Sequence, residues 1–305
     1  MGPMGWSASE QTEPSDYAIP EHVRRLVEEM EDVPTLPVVV TEFARVSADP
    51  DVAAHKLADV IGTDPALTSR LLHIVNSPFY GLSGRVTTVE SAIVVMGSKA
   101  VRAAVLGAAV LSAFTRGDAR AEYSRFAHHA ALTAEATKAL GRAYRLRGAE
   151  ELHTAGLLHD VGKLLIQTRF PEQHREVVRH GESSGLPAMV SERKFLGATH
   201  AELGSWLTSH WRLPELLVEC ITFHHSPTDA DRCTFEVALT HVADHVAHHA
   251  ESIVGIDSPA CPINAVAWQT LHSARPDIEQ EDIGLIAEDM AERITSIQQM
   301  AAVLC

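Results

Sequence analysis

Aromatic residues are scarce in this chain, at only 5% of its 305 residues, while alanine, leucine and valine are abundant. Small aliphatic side chains suit close packing between helices better than the faces of a sheet. With 46% hydrophobic residues the chain can still bury a large core. The composition therefore favours an all-α fold with two helical lobes.

Basic residues are also in short supply. The chain has 25 Lys and Arg against 40 Asp and Glu, which gives a formal net charge of −15. A surface of that sign repels nucleic-acid phosphates, so we expect no non-specific nucleic-acid binding. The charge leaves room for a local basic pocket that takes a small phosphorylated ligand.

Cysteines number four and form no C-x-x-C pair. Their spacing argues against a zinc ribbon or a disulfide framework and is typical of thiols in a reducing cytosol. The sequence also lacks a basic-then-apolar leader and any apolar run of the roughly 18 to 20 residues that span a bilayer. These absences predict a cytoplasmic protein without membrane association.

The chain divides into four predicted segments. Residues 1–18 are small, polar and acidic, which predicts a disordered tail. An N-terminal helical lobe is expected over 19–118, a second lobe with the candidate site over 119–254, and a helical extension packed on the body over 255–305. Within the second lobe, the pattern predicts single helices near 149–168 and 188–210.

Histidine is abundant, at 18 residues, and one of these histidines lies within an apolar stretch. His159 and Asp160 interrupt the apolar stretch AGLLHDVGKLLI, which must be buried. An unpaired buried carboxylate costs several kcal/mol, so the site should supply a cation or several donors. A divalent metal would satisfy both residues, and Gly162 would permit close approach of another segment.

Further candidates occur in similar settings. A lone buried histidine is more often a hydrogen-bonded core residue than a ligand. The ordered set of residues, spread over separate helices, is what indicates a metal site. Its other members are His129, His200, His224, His225 and Asp244. His129 is favoured over His128 because it shares a face with apolar residues. By contrast, His241, His245, His248 and His249 are predicted to form a solvated helix face.

The order His, His-Asp, Asp resembles the H…HD…D signature of the HD superfamily of metal-dependent phosphohydrolases. His129, His159, Asp160 and Asp244 match that signature, and His200, His224 and His225 match the additional histidines of dinuclear members. The resemblance implies two divalent transition-metal ions (iron, manganese, zinc or nickel) bridged by Asp160. It also implies that Lys163 neutralises a bound phosphate, which makes Asp160 and Lys163 the candidate catalytic residues.

The segments PTLPVVVTEFARV, DPALTSRLLHIVNSPFYG and VTTVESAIVVMGSKAVRAAVL resemble the HDOD domain of bacterial signalling proteins. In this lobe Asn76 is either a helix cap or a ligand contact. No GYP stretch follows His224-His225, and Ser226 stands where HD-GYP enzymes have glutamate, so their cyclic di-GMP hydrolysis is not implied.

Three functions remain open. The chain is a metal-containing regulatory protein that relays a signal to partner proteins, an active phosphohydrolase acting on a nucleotide or cyclic dinucleotide, or a structural module with a relic site. The complete ligand set argues against the third function. The HDOD resemblance favours the regulatory function over the enzyme.

Overall fold

The computed structural model describes residues 20–30, 33–47, 52–76, 86–114, 120–146, 149–256 and 261–304. All regular secondary structure in these ranges is helical, so the all-α prediction is confirmed. The predicted tail lies outside the described residues. Among the described helices, none combines the length and the apolar character needed to cross a membrane.

The first six helices form the N-terminal lobe, and the sixth of them is long and largely buried. They are α1 (Glu21–Glu28), α2 (Val38–Ser47), α3 (Ala54–Gly62), α4 (Pro65–Val75), α5 (Val89–Met96) and α6 (Ser98–Phe114). The Ala-rich α6 contacts α2, α4 and α5 on one side and the following helices on the other.

Asn76 acts as a cap in this lobe. Its side-chain amide donates to the carbonyls of Leu72 (2.9 Å) and Val86 (2.7 Å) and accepts from the Val86 N–H (3.1 Å). The hydrogen bonds join the end of α4 to the chain just before α5. Of the two interpretations of Asn76, the structure therefore supports the helix cap.

Eight helices follow and carry the candidate site. They are α7 (Arg120–Ala143), α8 (Ala149–Leu158), α9 (Val161–Arg169), α10 (Pro171–Ser184), α11 (Ala188–Phe195), α12 (His200–His210), α13 (Glu215–Phe223) and α14 (Thr234–Ile253). Helix α8 packs on α7, and α6 packs on α8, where a Cβ built on Gly107 would lie 2.3 Å from Leu157 Cδ2. The two lobes are thus in direct helix contact.

The prediction of one helix over 149–168 is wrong, because His159 and Asp160 form a turn between α8 and α9. The Nδ1 atom of His159 bonds to the Gly156 carbonyl at 2.8 Å. A continuing α-helix would use that carbonyl for the Asp160 N–H. The side chain thus competes with the backbone, and the helix ends at Leu158.

The predicted helix over 188–210 is likewise two helices. Gly197 has a φ of 81°, a left-handed conformation that ends α11. Thr199 then opens α12 through a capping box with Glu202. This turn places His200 in the first position of α12, with its backbone N–H free of helical hydrogen bonds.

Three C-terminal helices cover α7 and α14. They are α15 (Ala265–Ala274), α16 (Gln280–Glu292) and α17 (Ile294–Leu304). Helices α16 and α17 pack on α7, while α15 and α16 pack on α14. Arg275 also donates a hydrogen bond to the Ala143 carbonyl at 2.8 Å, which joins this layer to the end of α7.

Candidate metal centre

Two groups of side chains meet at the centre of the second lobe. In each group, one possible ligand atom per residue lies within 4.8 Å of the others. We call them site A and site B. Site A is formed by His129, His159 and Asp244. Site B is formed by Asp160, His200, His224 and His225.

Asp160 connects the two sites, because its two oxygens face different groups. Its Oδ1 atom lies 3.2 Å from His200 Nε2 and 3.6 Å from His224 Nε2, in site B. Its Oδ2 atom lies 3.3 Å from His159 Nε2, in site A, and 2.5 Å from Lys163 Nζ. The carboxylate is 3% exposed, so both oxygens act inside the protein.

Asp244 is the second carboxylate of the centre and comes from α14. Its Oδ1 atom lies 3.0 Å from His129 Nε2 and 3.5 Å from His159 Nε2. Across the centre, the Nε2 atoms of His200 and His225 lie 3.0 Å apart in site B. Helix α14 thus contributes to site A only, whereas α12 and the end of α13 contribute to site B.

The Nδ1 atoms of four histidines contact acceptors away from the centre. Helix carbonyls lie 2.8 Å from the Nδ1 atoms of His159 (Gly156) and His224 (Ile221). The Glu192 carboxylate lies 2.8 Å from the Nδ1 atom of His200, and the Glu251 carboxylate lies 3.3 Å from the Nδ1 atom of His129. With Nδ1 directed outward, Nε2 is the nitrogen that faces the centre, the usual orientation of a metal-bound histidine.

The carboxylates set the charge of the centre. Burial alone lowers the pKa of His129, but its contacts with Asp244 and Glu251 outweigh burial and raise that pKa to about 10. Burial raises the pKa of Asp160, yet the surrounding His159 and Lys163 charges hold it well below its usual range. Asp160 is therefore an anionic carboxylate in a site that attracts cations.

The donor set fits a pair of divalent transition metals. Among the buried side-chain atoms that have no hydrogen-bond partner within the described part of the chain, three belong to candidate ligands: His159 Nε2, Asp160 Oδ1 and His224 Nε2. All three face the centre, and a buried polar atom without a partner costs about 1–3 kcal/mol. Bound cations would satisfy them, and mixed imidazole and carboxylate donors suit iron, manganese, zinc or nickel.

The structure brings together all the residues that the sequence singled out as ligands, and Lys163 with them. Their role in holding metal stays a prediction. His128 lies outside the centre, with Nε2 3.4 Å from Ser124 Oγ. His159 and Asp160 lie in the turn between α8 and α9, so both side chains reach the centre from a turn and not from within a helix.

The prediction of a solvated histidine face on α14 is wrong for three of its four residues, since His245 is half-buried, with its Nδ1 atom 2.6 Å from the Cys261 carbonyl, and only His249 is exposed. His241 is 4% exposed and contacts the His224 carbonyl through Nδ1 at 2.6 Å. His248 lies 3.3 Å from Asp244 Oδ1. The spacing 241, 244, 248 and 251 marks one helix face, and this periodicity around Asp244 could have revealed both histidines and Glu251.

Comparison with known proteins places the chain in a family. The HDOD domain model matches residues 33–227, so the chain belongs to the HDOD family. An uncharacterised protein of Treponema pallidum (strain Nichols) is 25% identical over 203 residues, which cover 66% of this chain and 39% of that protein. This chain therefore spans about two fifths of the length of that relative.

Solved structures share the fold. An HDOD domain protein of unknown function from Geobacter sulfurreducens has a TM-score of 0.78 at 23% identity, over 93% of this chain and 97% of that one. A candidate phosphohydrolase from Shewanella amazonensis SB2B has a TM-score of 0.71 at 23% identity, over 93% and 98% of the two chains. At these identities the likeness concerns the fold alone.

Proposed function

We propose that this chain is a metal-dependent phosphohydrolase whose centre holds two divalent transition-metal ions. One observation carries the proposal: the two oxygens of Asp160 face two separate groups of imidazole nitrogens. Site A would hold one ion through His129, His159, Asp160 and Asp244. Site B would hold the other through Asp160, His200, His224 and His225.

Such ions supply Lewis acidity toward phosphate oxygens and lower the pKa of water for attack on phosphorus. The protein's own contribution is orientation and charge. Glu192 and Glu251 fix the rings of His200 and His129. The Lys163 side chain is 37% exposed, against 3% for Asp160, so its ammonium group can meet an incoming phosphate at the rim of the centre.

The substrate class that fits is a small phosphoester, such as a nucleotide or a cyclic dinucleotide. A phosphate would enter beside Lys163, a local positive charge in a chain of formal net charge −15. Polymeric nucleic acid carries many phosphates and would meet the repulsion of the whole surface. We therefore expect hydrolysis of small phosphoesters in preference to RNA or DNA.

The test combines metal content with turnover. Gently purified protein should contain close to two transition-metal ions per chain by plasma mass spectrometry and should hydrolyse bis(p-nitrophenyl) phosphate. Asp160→Asn should lose metal and turnover together, while the exposed control Asp59→Asn keeps both. Metal-loaded wild-type protein that cleaves neither this ester nor a panel of nucleotides and cyclic dinucleotides would exclude the enzyme.

A second candidate is a regulatory protein in which the loaded centre relays a signal to partner proteins. The close approach of Gly107 on α6 to Leu157 on α8 favours it, because α8 leads directly into His159. Displacement at the turn would reach the N-terminal lobe through this contact. Hydrogen exchange of α6 should then differ between metal-loaded and chelated protein, whereas equal exchange would argue against a relay.

A further inference from the structure

His248 has no place in the ligand set considered so far, yet it lies against the centre. It is on α14, one helical turn after Asp244, and its side chain is 13% exposed. Its Nε2 atom lies 3.3 Å from Asp244 Oδ1. Its ring also lies beside that of His129, with the ring centroids 4.4 Å apart.

Three imidazole nitrogens converge on that one oxygen. Asp244 Oδ1 lies 3.0 Å from His129 Nε2, 3.3 Å from His248 Nε2 and 3.5 Å from His159 Nε2. A carboxylate oxygen offers two lone pairs, so three N–H donors exceed what it can accept well. Ligand atoms about 2.1 Å from one metal are separated by about 3.0–3.4 Å, which these distances resemble.

The other nitrogen of His248 is directed toward a carboxylate. His248 Nδ1 lies 3.7 Å from Glu251 Oε2, and Glu251 also contacts His129 Nδ1 at 3.3 Å. One carboxylate thus faces the outer nitrogens of both rings, as expected for histidines that present Nε2 to a cation. His129 and His248 therefore stand in the same relationship to Asp244 and to Glu251.

We propose that His248 is a further ligand of the site A metal, through Nε2. The inference rests on the two-metal centre proposed above. Site A then has five protein ligands, His129, His159, Asp160, Asp244 and His248, while site B keeps four. For a six-coordinate metal this leaves one open position at site A and two at site B. The site A ion is the tightly held one, and the site B ion exchanges and receives the substrate.

The geometry offers one competing arrangement. His129, His248 and Glu251 also have possible ligand atoms within 4.8 Å of one another, which would suit a separate third ion. That ion would need His129 Nδ1 as a ligand while Nε2 serves site A. The imidazole would then lose both protons, which a neutral imidazole ligand does not require. A shared ion at site A is the simpler arrangement.

The test compares His248→Ala with His249→Ala, its exposed neighbour on α14. Full-length chelated protein is titrated with Co²⁺ against a chromogenic chelator, and the visible absorption of the bound Co²⁺ reports its coordination. In wild-type protein and in His249→Ala we expect one tight and one weaker ion. In His248→Ala the tight ion should bind about 10–100-fold more weakly, with the weaker ion unchanged. Added imidazole should restore the wild-type spectrum.

Four outcomes would overturn the assignment. If His248→Ala binds two ions with wild-type affinities and spectrum, the two-metal centre stands and only the role of His248 fails. If wild-type protein binds three ions and the variant two, His248 belongs to a separate site. If His248→Ala is folded but imidazole restores nothing, the residue is structural. If wild-type protein binds no ion, the centre and this inference fail together. Should His248→Ala not fold, His248→Gln takes its place.

Discussion

The carboxylate of Glu192 holds His200 at two points. Its Oε2 atom accepts the backbone N–H of His200 at 2.8 Å and lies 2.8 Å from the Nδ1 atom of the same residue. Glu192 thereby caps the first turn of α12 and fixes the ring that faces Asp160. One side chain thus links the start of a helix to the orientation of a candidate ligand.

Glu192→Gln should weaken the site B ion. The amide keeps the size of the side chain but replaces a charged acceptor with a neutral one, and loss of such partners typically costs 10–100-fold in metal affinity. Competition with a chelator would measure the affinity of each ion. Glu172→Gln, on an 85% exposed side chain, is the matched control. Equal loss at both sites would contradict a specific effect through His200.

Gly162→Ala should destabilise the fold around the centre. A Cβ on Gly162 would lie 1.9 Å from the His200 carbonyl oxygen and 2.8 Å from the Gly204 nitrogen. These are backbone atoms, so α9 and α12 would have to separate, at a cost of about 1–3 kcal/mol or more. Gly284→Ala, also in a helix but with no atom within 4 Å of its Cβ, should instead stabilise by roughly 0.5–1 kcal/mol. Urea denaturation of both variants would decide, and equal effects would refute the close approach.

A pH-dependent loss of stability is expected for Glu135→Gln. Glu135 on α7 lies 3.2 Å from His153 Nε2 and 3.7 Å from Lys138 Nζ. Burial raises the pKa of Glu135, but these partners and Arg293 outweigh burial and hold the pKa below its ordinary value of 4.5. A lowered folded-state pKa stabilises the fold above the unfolded pKa, and this contribution is lost as the pH falls through the folded pKa.

At pH 7, Glu135→Gln should therefore lower the free energy of unfolding by about 1–3 kcal/mol. The difference from the wild type should shrink as the pH falls below 4.5, the ordinary value. Chemical denaturation of chelated protein at neutral and acid pH measures both values and keeps the metal centre out of the comparison. The exposed Glu288→Gln is the control. A difference that stays constant with pH would rule out an ionised Glu135 as its source.

Lys163→Met should separate metal binding from turnover. The ammonium group lies 2.5 Å from Asp160 Oδ2 and is partly exposed, so it can also meet a phosphate. Removing one charge-stabilising donor typically costs about 10²–10³-fold in turnover. We expect two bound ions and turnover reduced by about that factor, with Lys56→Met unchanged. Wild-type turnover in the Lys163 variant would exclude it from the reaction.

The candidate ligands could be predicted from the sequence because histidine and aspartate stand out in apolar surroundings. Their partners could not. Glu192 lies eight residues from His200, and Glu251 lies 122 residues from His129, so nothing local connects either pair. Glutamate on a helix is most often solvated. The spacing of Glu251 from Asp244 places it on the buried face of α14, where it is 7% exposed, but only the packing of α7 on α14 makes His129 its partner.

The helices could be predicted except where a side-chain hydrogen bond or a left-handed glycine ends a helix early. The turn at His159 and Asp160 is hidden because apolar residues continue on both sides of it. Its cause is a hydrogen bond from a ring nitrogen to the Gly156 carbonyl, which hydrophobic periodicity does not register. The histidines of α14 show the opposite error, since four histidines in nine residues suggested a solvated face although only His249 is exposed.

Because Asp160 faces both site A and site B, the two sites can be lost together during evolution. A substitution at His225 or Asp244 removes a candidate ligand from one site, whereas a single substitution at Asp160 removes a carboxylate oxygen from both sites at once. The helices around it are joined by separate contacts, such as Gly162 against α12, that do not involve the carboxylate. A single substitution can thus remove the candidate metal centre and leave the scaffold available for other uses.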